Sequence, residues 1–391
     1  MIFQALGARY TFGPAVKHLC SFGTAEHGNE LRAALSERYN GKAVLYRKGR
    51  AALAEAIRIA TGGSGSVGIS ALTCYSVVQA VEAAGCTPVY IDIREEDLHF
   101  GEEELSRVLS ETNDMKAVVV QNMLGIPADI AAISKATSNK GVVLIEDLAH
   151  SAGAVYATGE EVGTVGDITM LSFGRDKAID TVNGGALIVR SGFFTVPEQP
   201  HVSPRAIDQL RDRLYPLIAW TTRAFYPVKI GQYIMAVAIK MKLVVRSADG
   251  EVNTKEALPN WQAKQALAQL MSLSETAEYR RRNALLYGQF LQAKTPSSLQ
   301  GSGVAPARVP LLLENRDEVI SYLKKYGVQA NDVWYDVPVS PARFYKKVAY
   351  SEANNPVAVR VSAALINLPT HQRMTKEQIK HVSNLVNEVA K

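Results

Sequence analysis

Seven short apolar runs alternate with helical stretches between residues 43 and 189, and this rhythm narrows the fold more than any other feature of the chain. The runs are 43–45, 67–69, 88–91, 117–120, 142–145, 168–171 and 186–189. Helical patterns fall at 29–39, 50–60, 76–84, 103–109 and 130–136. Asn40-Gly41 stops the first, Gly62-Gly63 the second and Gly85 the third. Runs this short, rich in β-branched residues, are buried on both faces. With helices between them they predict an α/β fold, a mostly parallel sheet sandwiched by helices. Sites in such sheets lie beyond the carboxyl ends of the strands. Asp147 and Ser172 fall just past two of those ends.

The remainder reads differently. From Arg213 to Arg246 there are six basic residues and no acidic one, around the apolar stretches 214–220 and 230–239. These stretches are too short to span a bilayer. They fit a buried helix pair or dimer contact. They also fit an amphipathic surface touching anionic membrane or a lipid-linked substrate, and Trp220, Tyr226 and Tyr233 suit either. A long helix is expected over 261–293, interrupted near Ser272. From about Val304 a small α+β region follows, with strands at 309–312 and 328–330 and a helix at 316–326. Thr375 and Gln378 form a capping box for a last helix striped by Ile379, Val382, Val386 and Val389. Two domains are expected. Residues 1–250 form a large α/β domain that includes 213–246; residues 251–391 hold connecting helices and a small C-terminal α+β domain.

Composition excludes several classes. A formal net charge of +5, dispersed along the chain, is too mild for nucleic acid and suits a small anionic substrate. Cys20, Cys74 and Cys86 have no metal spacing, and an odd count argues against a disulfide framework. The scattered histidines show no metal spacing either, so no metal is expected. The first residues lack a basic segment followed by a long apolar run, so no signal peptide is expected and a reducing cytoplasm is the default. No Gly-x-Ser-x-Gly elbow or Walker motif occurs.

Asp147 opens the segment Asp-Leu-Ala-His-Ser-Ala-Gly-Ala, and Lys177 follows thirty residues later, ending Ser172-Phe-Gly-Arg-Asp-Lys177. A carboxylate and a lysine so placed are what pyridoxal phosphate (PLP) needs. The lysine forms a Schiff base with the aldehyde, and the carboxylate keeps the pyridine nitrogen protonated so that the ring acts as an electron sink. Taken singly, each has a plainer reading: acidic pairs at strand ends are common, and most loop lysines are only solvated. Ser172 is able to bond a phosphate oxygen. Gly49-Arg50-Ala51 opens a helix, where backbone N–H groups and the Arg50 charge suit a phosphate; an ordinary loop-to-helix junction explains it equally well. Tyr75 either stacks on a cofactor ring or is a half-buried aromatic at a helix start.

Together these residues resemble the sugar aminotransferase family called DegT/DnrJ/EryC1/StrS. The match is densest over Ile145-Glu-Asp-Leu-Ala-His-Ser-Ala-Gly-Ala154, Gly163-Thr-Val-Gly-Asp167, Ser172-Phe173, Lys177 and Asn183-Gly-Gly185. Pro88-Val-Tyr-Ile-Asp92, Gly125-Ile-Pro-Ala-Asp129, Gln262-Ala263, Ala268-Gln-Leu270 and Leu368-Pro-Thr-His371 also match. The resemblance runs from about Gly41 to the C-terminus. It implies a PLP-dependent fold of type I, with Lys177 as the Schiff-base lysine and Asp147 as the pyridinium partner. It puts His150 beside the cofactor's phenolic oxygen, and Ser172 with the Gly49, Arg50 and Ala51 turn around the phosphate. Dehydratase relatives carry histidine in place of the lysine, so Lys177 favours transamination.

The chain departs from the family at several points. The phosphate turn reads Lys48-Gly49-Arg50 instead of Ser-Gly-Thr. Cys74 takes the slot of the stacking aromatic, one place before Tyr75. The partner-subunit asparagine and arginine of the family fall near Lys255 and Ala257. The N-terminal segment is shorter than usual, and 213–246 is longer.

The function so implied is a PLP-dependent aminotransferase that moves an amino group from glutamate to a keto-sugar, nucleotide-linked, in a cytoplasmic homodimer. Residues that anchor the cofactor do not choose which bond breaks, so a PLP lyase, aldolase or dehydratase stays open. So does a non-catalytic PLP-fold regulator or membrane-surface scaffold, on account of the altered turn and the 213–246 segment.

Overall fold

The computed structural model describes residues 1–391 except 191, 193, 293, 294, 297, 298, 300, 302, 332 and 391. The central sheet has seven strands: β1 (Lys42–Tyr46), β2 (Ser66–Ser70), β3 (Thr87–Ile91), β4 (Met115–Val120), β5 (Val143–Asp147), β6 (Ile168–Ser172) and β7 (Gly185–Val189). Their order is β1-β7-β6-β5-β4-β2-β3. Only β7 pairs antiparallel, with β1 and with β6; the other neighbours are parallel. Each expected strand is present to within about two residues, because the apolar runs are buried on both sides. Val44, Ile69, Val118, Ile145 and Ile188 have no exposed surface. Asp147 and Ser172 prove to be the last residues of their strands, one step earlier than expected.

Two apolar cores flank the sheet. Helices Ala25–Arg38, Glu102–Glu111, Ile130–Ser138 and Asn260–Met271 pack on one face through residues such as Leu31, Leu105, Ile133 and Leu270. Helices Gly49–Thr61 and Tyr75–Ala83 pack on the other through Ala52, Ile57, Val78 and Val81. A third core lies between helices Leu273–Phe290, Arg316–Lys325 and Lys376–Val389 and an antiparallel pair, β8 (Arg308–Leu312) with β9 (Leu365–Pro369). The last helix carries its capping box. The Gln378 N–H donates to Thr375 Oγ1 at 3.2 Å, and the Thr375 N–H donates to Gln378 Oε1 at 3.1 Å.

The sequence reading missed β9, the helices Phe12–Leu19 and Pro356–Ala364, and the pairing of Ile2–Phe3 with Val328–Gln329. That pairing ties the start of the chain to the C-terminal region. The long helix breaks at Ser272 as expected and runs to Phe290; Ala293, its expected end, lies outside the described residues.

Most of the 213–246 segment lies in two helices, Ala206–Ala224 and Ile230–Lys240. Tyr215, Ala219, Ala238 and Val244 pack with Val182 beneath them. Two of the six basic residues turn inward. Arg213 donates to the carbonyls of Leu19 (3.1 Å) and Ser21 (2.6 Å), and Arg223 to those of Leu6, Gly7 and Tyr10. Lys229, Lys240, Lys242 and Arg246 stay exposed beside a bare apolar strip that includes Val228, Ile230, Tyr233, Val237 and Met241. No helix of the described residues is long and apolar enough to cross a membrane.

Candidate active site

The acidic pair that ends β5 divides its labour through the two-residue period of a strand. Glu146, fully buried, accepts from the Tyr156 hydroxyl (2.7 Å) and from the backbone N–H groups of Gly163 (2.7 Å), Val165 (2.8 Å) and Gly166 (2.5 Å). Arg190 completes its shell at 3.2 Å. Asp147 instead lines a cavity of about 650 Å³ beyond the strand ends, with Ala149, His150, Ser172 and Lys177. Its carboxylate accepts the Ala149 N–H at 2.8 Å. Burial pushes the Asp147 carboxyl up to about 6, against the opposing pull of that N–H and of Lys177.

Lys177 sits in the connection between β6 and β7, and the loop is held from several sides. Asp180 accepts the Asp176 N–H (3.0 Å), the Val182 N–H (2.9 Å) and the Tyr10 hydroxyl (3.0 Å). Asp176 and Val182 both have positive φ, 64° and 71°, and for β-branched Val182 that conformation is strained and needs such a clamp. Gln269 accepts the Asp180 N–H and donates to the Asp180 carbonyl, both at 2.9 Å, while Gln262 donates to the carbonyls of Thr181 (2.8 Å) and Asn183 (3.0 Å). The glutamines of the Gln-Ala and Ala-Gln-Leu matches thus position the lysine loop from a helix some eighty residues away. Burial lowers the Lys177 amine to about 8, with Cys74 and Asp147 pulling it back up.

His150 lies parallel to Trp334, with ring centres 4.6 Å apart and planes at 10°. Its Nδ1 accepts the Leu124 N–H at 3.2 Å, which leaves the ring proton on Nε2. Burial, then the charges of Lys177 and Arg308, hold its pKa well below the usual value, so the ring is neutral. The Lys177 amine lies 4.4 Å from the centre of the Trp334 ring, and the Arg308 guanidinium 3.7 Å from it.

At the other end of the cavity, helix Gly49–Thr61 begins against the strand ends. A Cβ on Gly49 would lie 2.8 Å from Ser172 Oγ, and one on Gly185 would lie 2.6 Å from the Gly49 Cα. Two glycines therefore let the helix N-terminus meet Ser172 directly. Helical bonding starts with the N–H groups of Ala51 and Ala52, which donate to the Lys48 carbonyl. The N–H groups of Gly49 and Arg50 precede it and form the kind of helix end that binds phosphate. Ala51 itself is buried behind the turn. Arg50 is not a free charge: it donates to Gln79 Oε1 (2.7 Å) and to the carbonyls of Ser247 and Gly250. Lys48 lines the cavity beside it.

Tyr75 is not brought to the cavity. It stacks on Phe344 at 4.3 Å and 11°, whereas its neighbour Cys74 lines the cavity. Among the aromatics that line the site is Trp334, from the far end of the chain, which sequence reasoning missed together with Arg308, Glu146 and Asp180. No group of described residues has the donors for a metal ion. The residues present fit PLP: a helix end and Ser172 for its phosphate, a buried carboxylate for its ring nitrogen, and a lysine of lowered pKa for its aldehyde, all on one cavity.

Comparison with known proteins agrees. The model of the DegT/DnrJ/EryC1/StrS aminotransferase family matches residues 29–195 and 235–387, leaving out all of helix Ala206–Ala224 and its flanks. A UDP-N-acetyl-3-dehydro-alpha-D-glucosamine 3-aminotransferase of Acidithiobacillus ferrooxidans is 23% identical over 92% of this chain and 88% of its own. A pleiotropic regulatory protein of Geobacillus stearothermophilus is 22% identical over 85% and 82%. Spr1654 of Streptococcus pneumoniae, solved in its PMP form, shares the fold with a TM-score of 0.73 at 18% identity, over 97% of this chain and 96% of that one. The chain belongs to the DegT/DnrJ/EryC1/StrS family of pyridoxal-phosphate-dependent aminotransferases.

Proposed function

We propose that the protein transfers an amino group from glutamate to a keto-sugar carried on a nucleotide. The observation that carries this reading is the meeting of Asp147 and Lys177 on one cavity, each moved toward neutrality by burial. Bound PLP supplies the electron sink that labilises bonds at the substrate carbon. Asp147 would keep the ring nitrogen protonated, its carboxylate stabilised by the cation it faces. Lys177, with a pKa near 8, has a neutral amine fraction near pH 7.5. It would hold the cofactor through its aldehyde and, when free, would take and return the proton at the substrate carbon. His150, with its ring proton on Nε2, would donate to an oxygen of a group bound in the cavity it lines, and its stack with Trp334 holds the ring in place. Lys48, Arg246 and Arg343 on the cavity wall suit the diphosphate of a nucleotide-linked substrate.

The enzyme works in the cytoplasm as a homodimer, with residues 1–250 as the cofactor domain and 251–391 as the connecting helices and small domain. A second copy covers the bare strip of helix Ile230–Lys240. The exposed Lys229, Lys240 and Lys242 beside that strip favour a second reading, peripheral contact with an anionic membrane. Sedimentation velocity and liposome co-sedimentation separate the two.

The test of function is 2-oxoglutarate release from glutamate in the presence of keto-sugar nucleotides. Lys177→Ala is expected to abolish it, and full activity in that variant would refute the assignment.

A further inference from the structure

Helix Ile230–Lys240 has two apolar faces. Ile230, Tyr233 and Val237 lie bare on the outer one, while Met235 and Ile239, on the inner one, line the large cavity. Phe3, Leu6, Tyr215 and Tyr226 line the same cavity. Contacts join these residues into one wall. The rings of Phe3 and Tyr226 meet edge to face at 5.3 Å, and Met235 and Ile239 pack on the cluster of Tyr215, Ala219 and Val244. Arg223 ties the N-terminal segment to the hairpin through the carbonyls of Leu6, Gly7 and Tyr10. Phe3, Leu6, Tyr215 and Tyr226 all lie outside the stretches that the family model matches, so this side of the cavity is built largely by segments particular to this chain.

Polar atoms along the wall are already engaged. The Tyr226 hydroxyl donates to Gln329 Oε1 (3.2 Å), the Phe3 carbonyl accepts from His371 Nε2 (3.1 Å), and the Leu6 carbonyl accepts from Arg223. A sugar hydroxyl set against this wall exchanges water for apolar carbon, which is costly, whereas an alkyl group placed there gains by leaving water. The border of the wall is cationic. The Arg175 guanidinium covers the Tyr215 ring at 3.8 Å, and Arg246 lines the cavity two residues after Val244. A cavity apolar on one side and cationic at that side's edge suits an anionic molecule that carries an apolar group.

We propose that this wall binds an alkyl or acyl chain carried by the acceptor, so that the preferred acceptor is an acylated or alkylated keto-sugar nucleotide. The assignment rests on the aminotransferase reading above and names the acceptor class within it. The chain lies along Phe3, Tyr226, Met235 and Ile239, and the acceptor's phosphates lie toward Arg246. Binding there makes and breaks no covalent bond, so no further reactant is needed.

The experiment titrates methyl, hexyl and octyl β-glucoside calorimetrically into the full-length PLP-loaded protein, below the concentrations at which they form micelles. Octyl glucoside should bind and methyl glucoside should not, with affinity rising by up to about fourfold for each methylene between hexyl and octyl. Met235→Asn and Ile239→Asn, on the inner face, should weaken octyl glucoside tenfold or more with circular dichroism unchanged. Tyr233→Asn, on the outer face, should leave it as it was. If the inner-face variants do not fold, octyl glucoside should still compete with a keto-sugar nucleotide, and not with glutamate, in the wild type. Absence of octyl glucoside binding or of that competition, affinity indifferent to chain length, or a loss caused by Tyr233→Asn and not by Ile239→Asn would overturn the proposal. If glutamate still fades the visible band in that case, the aminotransferase reading stands without it.

Discussion

Glu146 and Asp147 are neighbours in β5 yet serve opposite sides of the sheet: the first holds the 156–166 loop through four hydrogen bonds and Arg190, the second faces the cavity. Their substitutions should separate cleanly. Glu146→Gln leaves Arg190 without its buried partner and should cost about 3 kcal/mol of stability, read by urea denaturation. Asp147→Asn should fold normally and bind PLP with an altered spectrum but no turnover.

The raised Asp147 carboxyl has a signature in the cofactor-free protein. Between the unfolded value near 3.8 and the folded value of about 6, the folded state binds the extra proton, so stability falls as pH rises through this window. Above it, Asp147→Asn should be the more stable protein by up to about 3 kcal/mol. Lys177 behaves oppositely. Its folded value of about 8 lies below the usual 10.5, so the unfolded chain holds more protons between them and stability recovers as pH rises. Thermal melts from pH 4 to 10.5, with and without each substitution, check both signs.

Gln269 brackets both main-chain groups of Asp180, and Asp180 in turn clamps the strained Val182. Gln269→Leu leaves the Asp180 N–H unmet and its carbonyl with only the Tyr10 hydroxyl at 3.4 Å, and should cost about 2 kcal/mol. Because the loop carries Lys177, the rate of PLP incorporation should also fall. A variant that loses stability but incorporates PLP at the wild-type rate would show that the clamp does not position the lysine.

Gly49→Ala sets a methyl against Ser172. It should weaken PLP binding at least tenfold while leaving the fold intact, measured by equilibrium dialysis. Tyr75→Phe, by contrast, should change neither affinity nor spectrum, because its ring packs on Phe344 outside the cavity.

The sheet was legible because buried strands write themselves as apolar runs, and β1 to β7 appear where those runs lie. The local parts of the site were legible for the same reason: Asp147, His150, Ser172 and Lys177 sit at or just past strand ends. What stayed hidden is long-range. Trp334 and Arg308 reach the site across more than a hundred residues, and no local period announces that meeting. Tyr75 was misplaced by a single position: Cys74, before it, is the residue that reaches the cavity. The glutamines at 262 and 269 were visible as a motif, but their task as clamps on the lysine loop needs the fold.

The most direct measurement is the visible spectrum of the purified protein with PLP, before and after glutamate. A yellow band that depends on Lys177 and fades when glutamate is added is the predicted result. A missing band, or one that glutamate leaves unmoved, would contradict the assignment of this cavity to glutamate-driven aminotransfer.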